Sequence, residues 1–190
     1  MRSYIINLRG ANGSGKTTCV RGYLSKHKIS EEDLKLKNGF ICKVNVCDNS
    51  IVLGEFKGNK IEGIDIYNKK TQIDIVSEAM KKYYPKTLIF ESCLLSTSGK
   101  TSLDIINKAR TMGYEWVSVY LYMRWSERYK RLCGRANREI KTNEVLKILA
   151  SVERSMETLK KNGVLCKCID VTETPIEEMY LIVENVINKL

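Results

Sequence analysis

Hydrophobic and polar positions alternate along the chain as short apolar runs and longer amphipathic stretches. Ser3–Leu8 is largely apolar and reads as a buried strand, followed by a glycine-rich octad and a helix from Lys16 to about Lys26. Residues 28–38 are polar and read as a loop or a short helix. Phe40–Cys47 and Ile51–Phe56 are β-rich runs separated by Asp48-Asn49-Ser50, a turn cluster, so this region predicts a hairpin. Gly54, Gly58 and Gly63 then mark an irregular loop around Asp65. A helix over Lys69–Tyr84 stops before Pro85, and Thr87–Phe90 is a short apolar strand ending in Glu91.

The second half continues the alternation. Ser102–Met112 reads as a helix closed by Gly113, and Trp116–Met123 as a strand. Two helices follow, Trp125–Ala136 and Asn143–Lys161, the latter with Val145, Leu149, Val152, Met156 and Leu159 as a core-facing stripe. Val164–Ile169 is a last strand and Ile176–Leu190 a last helix. Strands alternating with helices imply an α/β fold with a parallel sheet and right-handed crossovers. Ligands in such sheets sit at the carboxyl ends of the strands, where Arg9, Glu91, Arg124 and Asp170 fall.

The octad Gly10-Ala11-Asn12-Gly13-Ser14-Gly15-Lys16-Thr17 fits G-x-x-x-x-G-K-[ST] and stands between a buried strand and a helix, the context this phosphate-binding loop requires. The glycines Gly10, Gly13 and Gly15 let backbone N–H groups turn inward around a phosphate, with Asn12, Ser14 and Thr18 completing the cradle. Lys16 would reach the β- and γ-phosphates of ATP, and Thr17 would ligand Mg²⁺ through its hydroxyl. No N-K-x-D or D-x-x-G motif of a GTPase is present. The expectation is therefore a single domain over residues 1–190: a three-layer P-loop NTPase fold with a parallel central sheet, an inserted β-hairpin and an arginine-rich helical lid at about 124–141.

Charge sharpens the picture. The chain carries a net charge of +10 with a pI near 9.2. Between Arg124 and Lys141 seven cationic residues face two anionic ones, which is half of the whole excess. Arg124, Arg128, Arg131, Arg135 and Arg138 recur at 4, 3, 4, 3 spacing and would share one helical face, beside an apolar stripe of Trp125, Tyr129, Leu132 and Ala136. Arginine forks suit phosphate oxygens and the charge that develops during transfer. Clustered excess positive charge also suggests a polyanionic partner.

Two acids are candidates for the chemistry. Glu91 would hold Mg²⁺ or accept a proton; Asp65, in the glycine-spaced loop, reads equally as an acid of the site or as an aspartate bracing a turn. Arg9, beside the loop, would touch either the triphosphate or the acceptor, whereas Asp170 reads best as an end-of-strand turn residue. Seven cysteines without a C-x-x-C pair argue for a reducing compartment and against a disulfide framework or a zinc site. With no long apolar run, the chain is expected in the cytoplasm, away from membranes; its oligomeric state stays open.

Phosphate loop, strand-end glutamate and arginine lid together resemble the nucleotide-kinase-like P-loop proteins, which include thymidylate and other nucleoside monophosphate kinases. More narrowly, R-G-A-N-G-S-G-K-T-T (9–18), I-V-L-G-E-F (51–56), G-I-D-I-Y (63–67) and F-E-S-C-L-L-S (90–96) resemble phage-encoded small kinases, among them enzymes that phosphorylate 5-hydroxymethyldeoxyuridine within DNA. At Glu91-Ser92-Cys93 the chain departs from the thymidylate kinases, which place arginine after the acid, and from the E-R-S of deoxynucleoside kinases. The resemblance implies an ATP-dependent kinase, in host cytoplasm if phage-encoded, with Asp65 at the acceptor site. DNA, a free deoxynucleoside monophosphate, or water in a nucleic-acid-binding ATPase remain as acceptors.

Overall fold

The computed structural model describes residues 2–56, 63–136 and 141–190. Gly58 and Arg138 lie outside the described residues, as does the side chain of Arg135. Among the described residues one sheet contains seven strands: β1 (Ser3–Arg9), β2 (Ser30–Lys35), β3 (Ile41–Val46), β4 (Ser50–Leu53), β5 (Thr87–Glu91), β6 (Tyr114–Tyr122) and β7 (Leu165–Asp170). Its order is β2-β3-β4-β5-β1-β6-β7. From β4 to β7 neighbouring strands run parallel, while β2, β3 and β4 form an antiparallel meander at one edge. The expected hairpin is therefore part of the main sheet: β4 pairs with β5 through Ser50 and Thr87, Ile51 and Leu88, and Val52 and Ile89.

One expectation is corrected here. The polar stretch 28–38 holds strand β2, not a loop or helix. Only Leu34 is buried along it, because an edge strand turns most of its side chains to water. Pairing with β3, from Ser30 opposite Val46 to Lys35 opposite Ile41, defines the strand where its own pattern does not.

Helices cover both faces: α1 (Lys16–Lys26), α2 (Lys69–Tyr83), α3 (Cys93–Ser96), α4 (Gly99–Thr111), α5 (Trp125–Ala136), α6 (Thr142–Lys161) and α7 (Tyr180–Asn188). Alternation along β1 assigns its residues to these layers. Tyr4, Ile6 and Leu8 pack with Cys19 and Val20 of α1 and Val183 of α7. Ile5 packs with Ile75 of α2, Ile106 of α4 and Leu159 of α6. Asn7 and Arg9, in phase with Ile5, face that second layer. In α6 the predicted stripe is sunk at Val145, Val152 and Leu159. Burying three such side chains stabilises the α6 layer by roughly 1.5–3 kcal/mol each. No helix among the described residues is long and apolar enough to cross a membrane.

Candidate active site at the phosphate loop

The loop turns tightly where β1 ends. Gly10 has φ 141°, and a β-carbon there would lie 2.6 Å from Ser14 Oγ and 2.8 Å from Leu121 O, so only glycine fits. Gly15, at φ 87°, starts α1 in the left-handed conformation. No side chain caps α1 and no acid stands in its first turn, so its first amides point at the loop without an internal acceptor. Lys16 curls back over the loop and donates to Gly10 O at 3.0 Å and Ala11 O at 3.3 Å. Ser14 Oγ is buried without a hydrogen-bond partner inside this turn. Asn12 stands exposed at the loop's crest and Thr18 is half-buried in the first turn of α1.

Glu91 arrives from β5, which pairs directly with β1, Leu8 lying opposite Glu91. Its carboxylate accepts the Thr17 hydroxyl at 2.8 and 3.0 Å and is 2% exposed. Gly63 closes over it: a β-carbon there would approach Glu91 Cγ to 2.9 Å and Oε1 to 3.1 Å. Two hard oxygen ligands, a hydroxyl and a carboxylate, thus meet beside the loop. Such a pair fits Mg²⁺, which takes one or two protein oxygens and completes its shell with phosphates and water.

Asp65 lies on the adjoining side. Both carboxylate oxygens accept from Cys93 N, at 2.9 and 2.8 Å, and Gln72 Nε2 reaches Oδ1 at 3.4 Å. Burial pushes the Cys93 thiol up, Lys16 opposes that shift, and Asp65 and Glu91 add to it; these three charges surround one side chain.

Helix α5 lies against the opposite wall of the loop. A β-carbon on Gly13 would sit 3.0 Å from Arg128 Cγ and 3.1 Å from Leu132 Cγ. One on Gly15 would sit 3.9 Å from Arg131 Nη1. Arg128 is 2% exposed, stacks over Trp125 with its guanidinium carbon 5.3 Å from the ring centre, and leaves Nε without a partner. Burial lowers its pKa from the usual arginine value. Arg124, ahead of the helix, is exposed and pairs with Glu173 at 3.2 Å.

Arg9 departs from expectation. It is fully buried and turned toward α4 and α6. Its guanidinium donates to Asn7 Oδ1 at 3.0 Å, Ser102 Oγ at 3.1 Å, Ser155 Oγ at 2.9 Å and the carbonyl of Leu95. Asp170 braces a turn, accepting from Thr172 N at 2.9 Å. Sequence reasoning missed Ser96, whose hydroxyl accepts from Gly10 N at 3.3 Å, and helix α3 that carries it. The available signal was Ser92, three residues before Leu95, whose side chain caps that turn.

No protein-family model matches the chain, and no curated protein matches it at a significant level. Among solved structures, it overlaps deoxyadenosine kinase from M. mycoides with bound dATP at 16% identity and a TM-score of 0.43, covering 99% of this chain and 100% of that one. The same kinase with bound dCTP gives 14% identity and a TM-score of 0.44, over 98% and 100% of the two chains. Overlap this loose carries no argument about function, which rests on the residues above.

Proposed function

We propose that the chain is an ATP-dependent P-loop kinase that transfers the γ-phosphate to a nucleotide-type acceptor. One observation carries the reading: Lys16 lies back over the phosphate loop, the next residue, Thr17, gives its hydroxyl to the carboxylate of Glu91, and Arg128 packs on the loop from the other side. Thr17 and Glu91 would hold Mg²⁺, which would supply charge neutralisation between the β- and γ-phosphates. Lys16 exchanges its two carbonyl acceptors for phosphate oxygens, and the α1 amides take the remaining charge.

Among the described residues the Asp65 carboxylate accepts from N–H groups, the Cys93 amide and Gln72 Nε2, so carboxylate lone pairs remain to accept a hydroxyl. The acceptor oxygen attacks the γ-phosphorus, the bond to the β–γ bridging oxygen breaks, ADP leaves, and the hydroxyl proton passes to Asp65. Arg128 and Arg131 meet the charge spread over the transferring group. Positioning and electrostatics do most of this work, because the transition state is loose.

The acceptor we favour is the hydroxyl of a hydroxymethylated pyrimidine, 5-hydroxymethyldeoxyuridine, in DNA. The net charge of +10, half of it between Arg124 and Lys141, supports a polyanion over a free nucleotide. The test gives purified protein γ-labelled ATP with free deoxynucleoside monophosphates, unmodified duplex, or duplex containing hydroxymethylated pyrimidine. Label on the base after digestion to single nucleotides supports the DNA reading. Label on a diphosphate moves the acceptor to free nucleotides, and label in free phosphate alone overturns the kinase. Lys16→Ala should abolish transfer in a folded protein.

A further inference from the structure

A four-residue helix, α3, stands between the two halves of the proposed site and is held at both ends. At its start, Cys93 N donates to Asp65, and the Ser92 hydroxyl accepts from Leu95 N at 2.9 Å while donating to Gln72 Oε1 at 2.7 Å. Gln72 in turn donates to Tyr67 O at 2.9 Å, fixing the chain just beyond Asp65. At its end, Leu95 O accepts from the Ser102 hydroxyl at 2.9 Å and from the Arg9 guanidinium. Ser96 donates to Ser92 O and accepts from Gly10 N at 3.3 Å. Ser92, Ser96 and Gln72 are all fully buried, so the bonds between Ser92 and Gln72 and between Ser96 and Gly10 lie away from water, while those to Asp65 and Tyr67 O are partly buried.

We infer that α3 is a positioning element coupling acceptor to donor, and that Ser96 is its positioning residue at the phosphate loop. The inference rests on the phosphotransferase reading and adds a mechanical consequence. Among the described residues, the side chain that holds the Cys93 amide is Asp65, the carboxylate assigned to the acceptor hydroxyl in this reading. One turn later the same helix sets the first amide of the loop. When Asp65 rotates to engage an acceptor, its hold on Cys93 N changes, and Ser96 passes that change to Gly10. A buried chain of this kind has discrete arrangements, because neither end can drop its partner without leaving a polar group unsatisfied.

Calorimetric titration with ATP and Mg²⁺, without any acceptor, tests the coupling. Ser96→Ala should weaken ATP about tenfold, and Ser96→Thr, which restores the hydroxyl, should recover most of that loss. Asp65→Ala should weaken ATP about fivefold or more, although removing a negative charge near a triphosphate would by itself tighten binding. Asp65→Asn keeps an oxygen for Cys93 N and should not weaken ATP. In a Ser96→Ala background the Asp65→Ala change should add little. ATP affinity unchanged or improved by Asp65→Ala, or losses that simply add in the double variant, would overturn the coupling while leaving the kinase intact. If Ser96→Ala does not fold, the contrast between Asp65→Ala and Asp65→Asn decides alone. A wild-type protein that binds no ATP removes the phosphate-loop reading and this inference together.

Discussion

The Thr17 hydroxyl is shared between the two carboxylate oxygens of Glu91, at 2.8 and 3.0 Å, and joins the phosphate loop to the end of β5. Thr17 and Glu91 would hold a divalent ion through a hydroxyl and an acid that already stand side by side. Glu91→Gln keeps the size and one acceptor oxygen but removes the negative charge. Transfer should fall about 100-fold or more in kcat, while ATP affinity in excess EDTA should not weaken. Equal losses with and without metal would detach Glu91 from Mg²⁺.

Among the described arginines of the stripe, Arg128 is the one that burial singles out, packed on Gly13 and over Trp125. Arg128→Met retains most of the apolar stem and deletes the fork. We expect kcat to drop at least about 100-fold with a smaller change in KM for ATP, the pattern of a group that acts on developing charge. A pure KM effect would make it an ordinary binding contact. Arg124→Ala, at an exposed ion pair with Glu173, should cost less than about 1 kcal/mol of stability.

Arg9 supports the layer behind the loop. It meets serine, asparagine and carbonyl oxygens, and burial lowers its pKa. Arg9→Ala opens a cavity and strands several acceptors, so urea unfolding should show a loss of about 3–5 kcal/mol. Arg9→Met fills the space and should lose less. An unchanged midpoint accompanied by vanished ATP binding would put Arg9 back among the phosphate ligands.

Asp170 roots α5. The Thr172 hydroxyl and amide hold its carboxyl below the usual aspartate value, and Thr172 Oγ1 accepts Arg124 N at 2.8 Å. A depressed folded-state pKa gives stability that is present above the unfolded-state value and is lost as pH falls through the folded one. Acidification below about pH 4 should therefore loosen the start of α5 before the sheet. Amide exchange at Arg124 and Thr172 would report it, and Asp170→Asn should flatten the dependence.

Much of this was readable from the chain because local pattern and tertiary context agree. The phosphate loop needs glycines at fixed positions, and α5 carries Trp125, Tyr129 and Leu132 in helical phase, so its bounds come out as Trp125–Ala136. Strand β2 was not readable, since Ser30-Glu31-Glu32-Asp33 has no apolar alternation and owes its conformation to β3. Arg9 was misplaced by proximity to the loop, although its phase with Ile5 and Asn7 pointed the other way. Helix α3 was too short to leave a periodic trace.

Gly54 and Gly63 meet backbone to backbone, and Gly63 N donates to Glu55 O at 2.8 Å. Neither position has room for a β-carbon, and Gly63 also rests on Glu91. The chain therefore passes through a fixed gate before and after residues 57–62. Any side chain at Gly63 would have to displace Glu91, so this crossing ties the chain leaving β4 to the carboxylate at the end of β5.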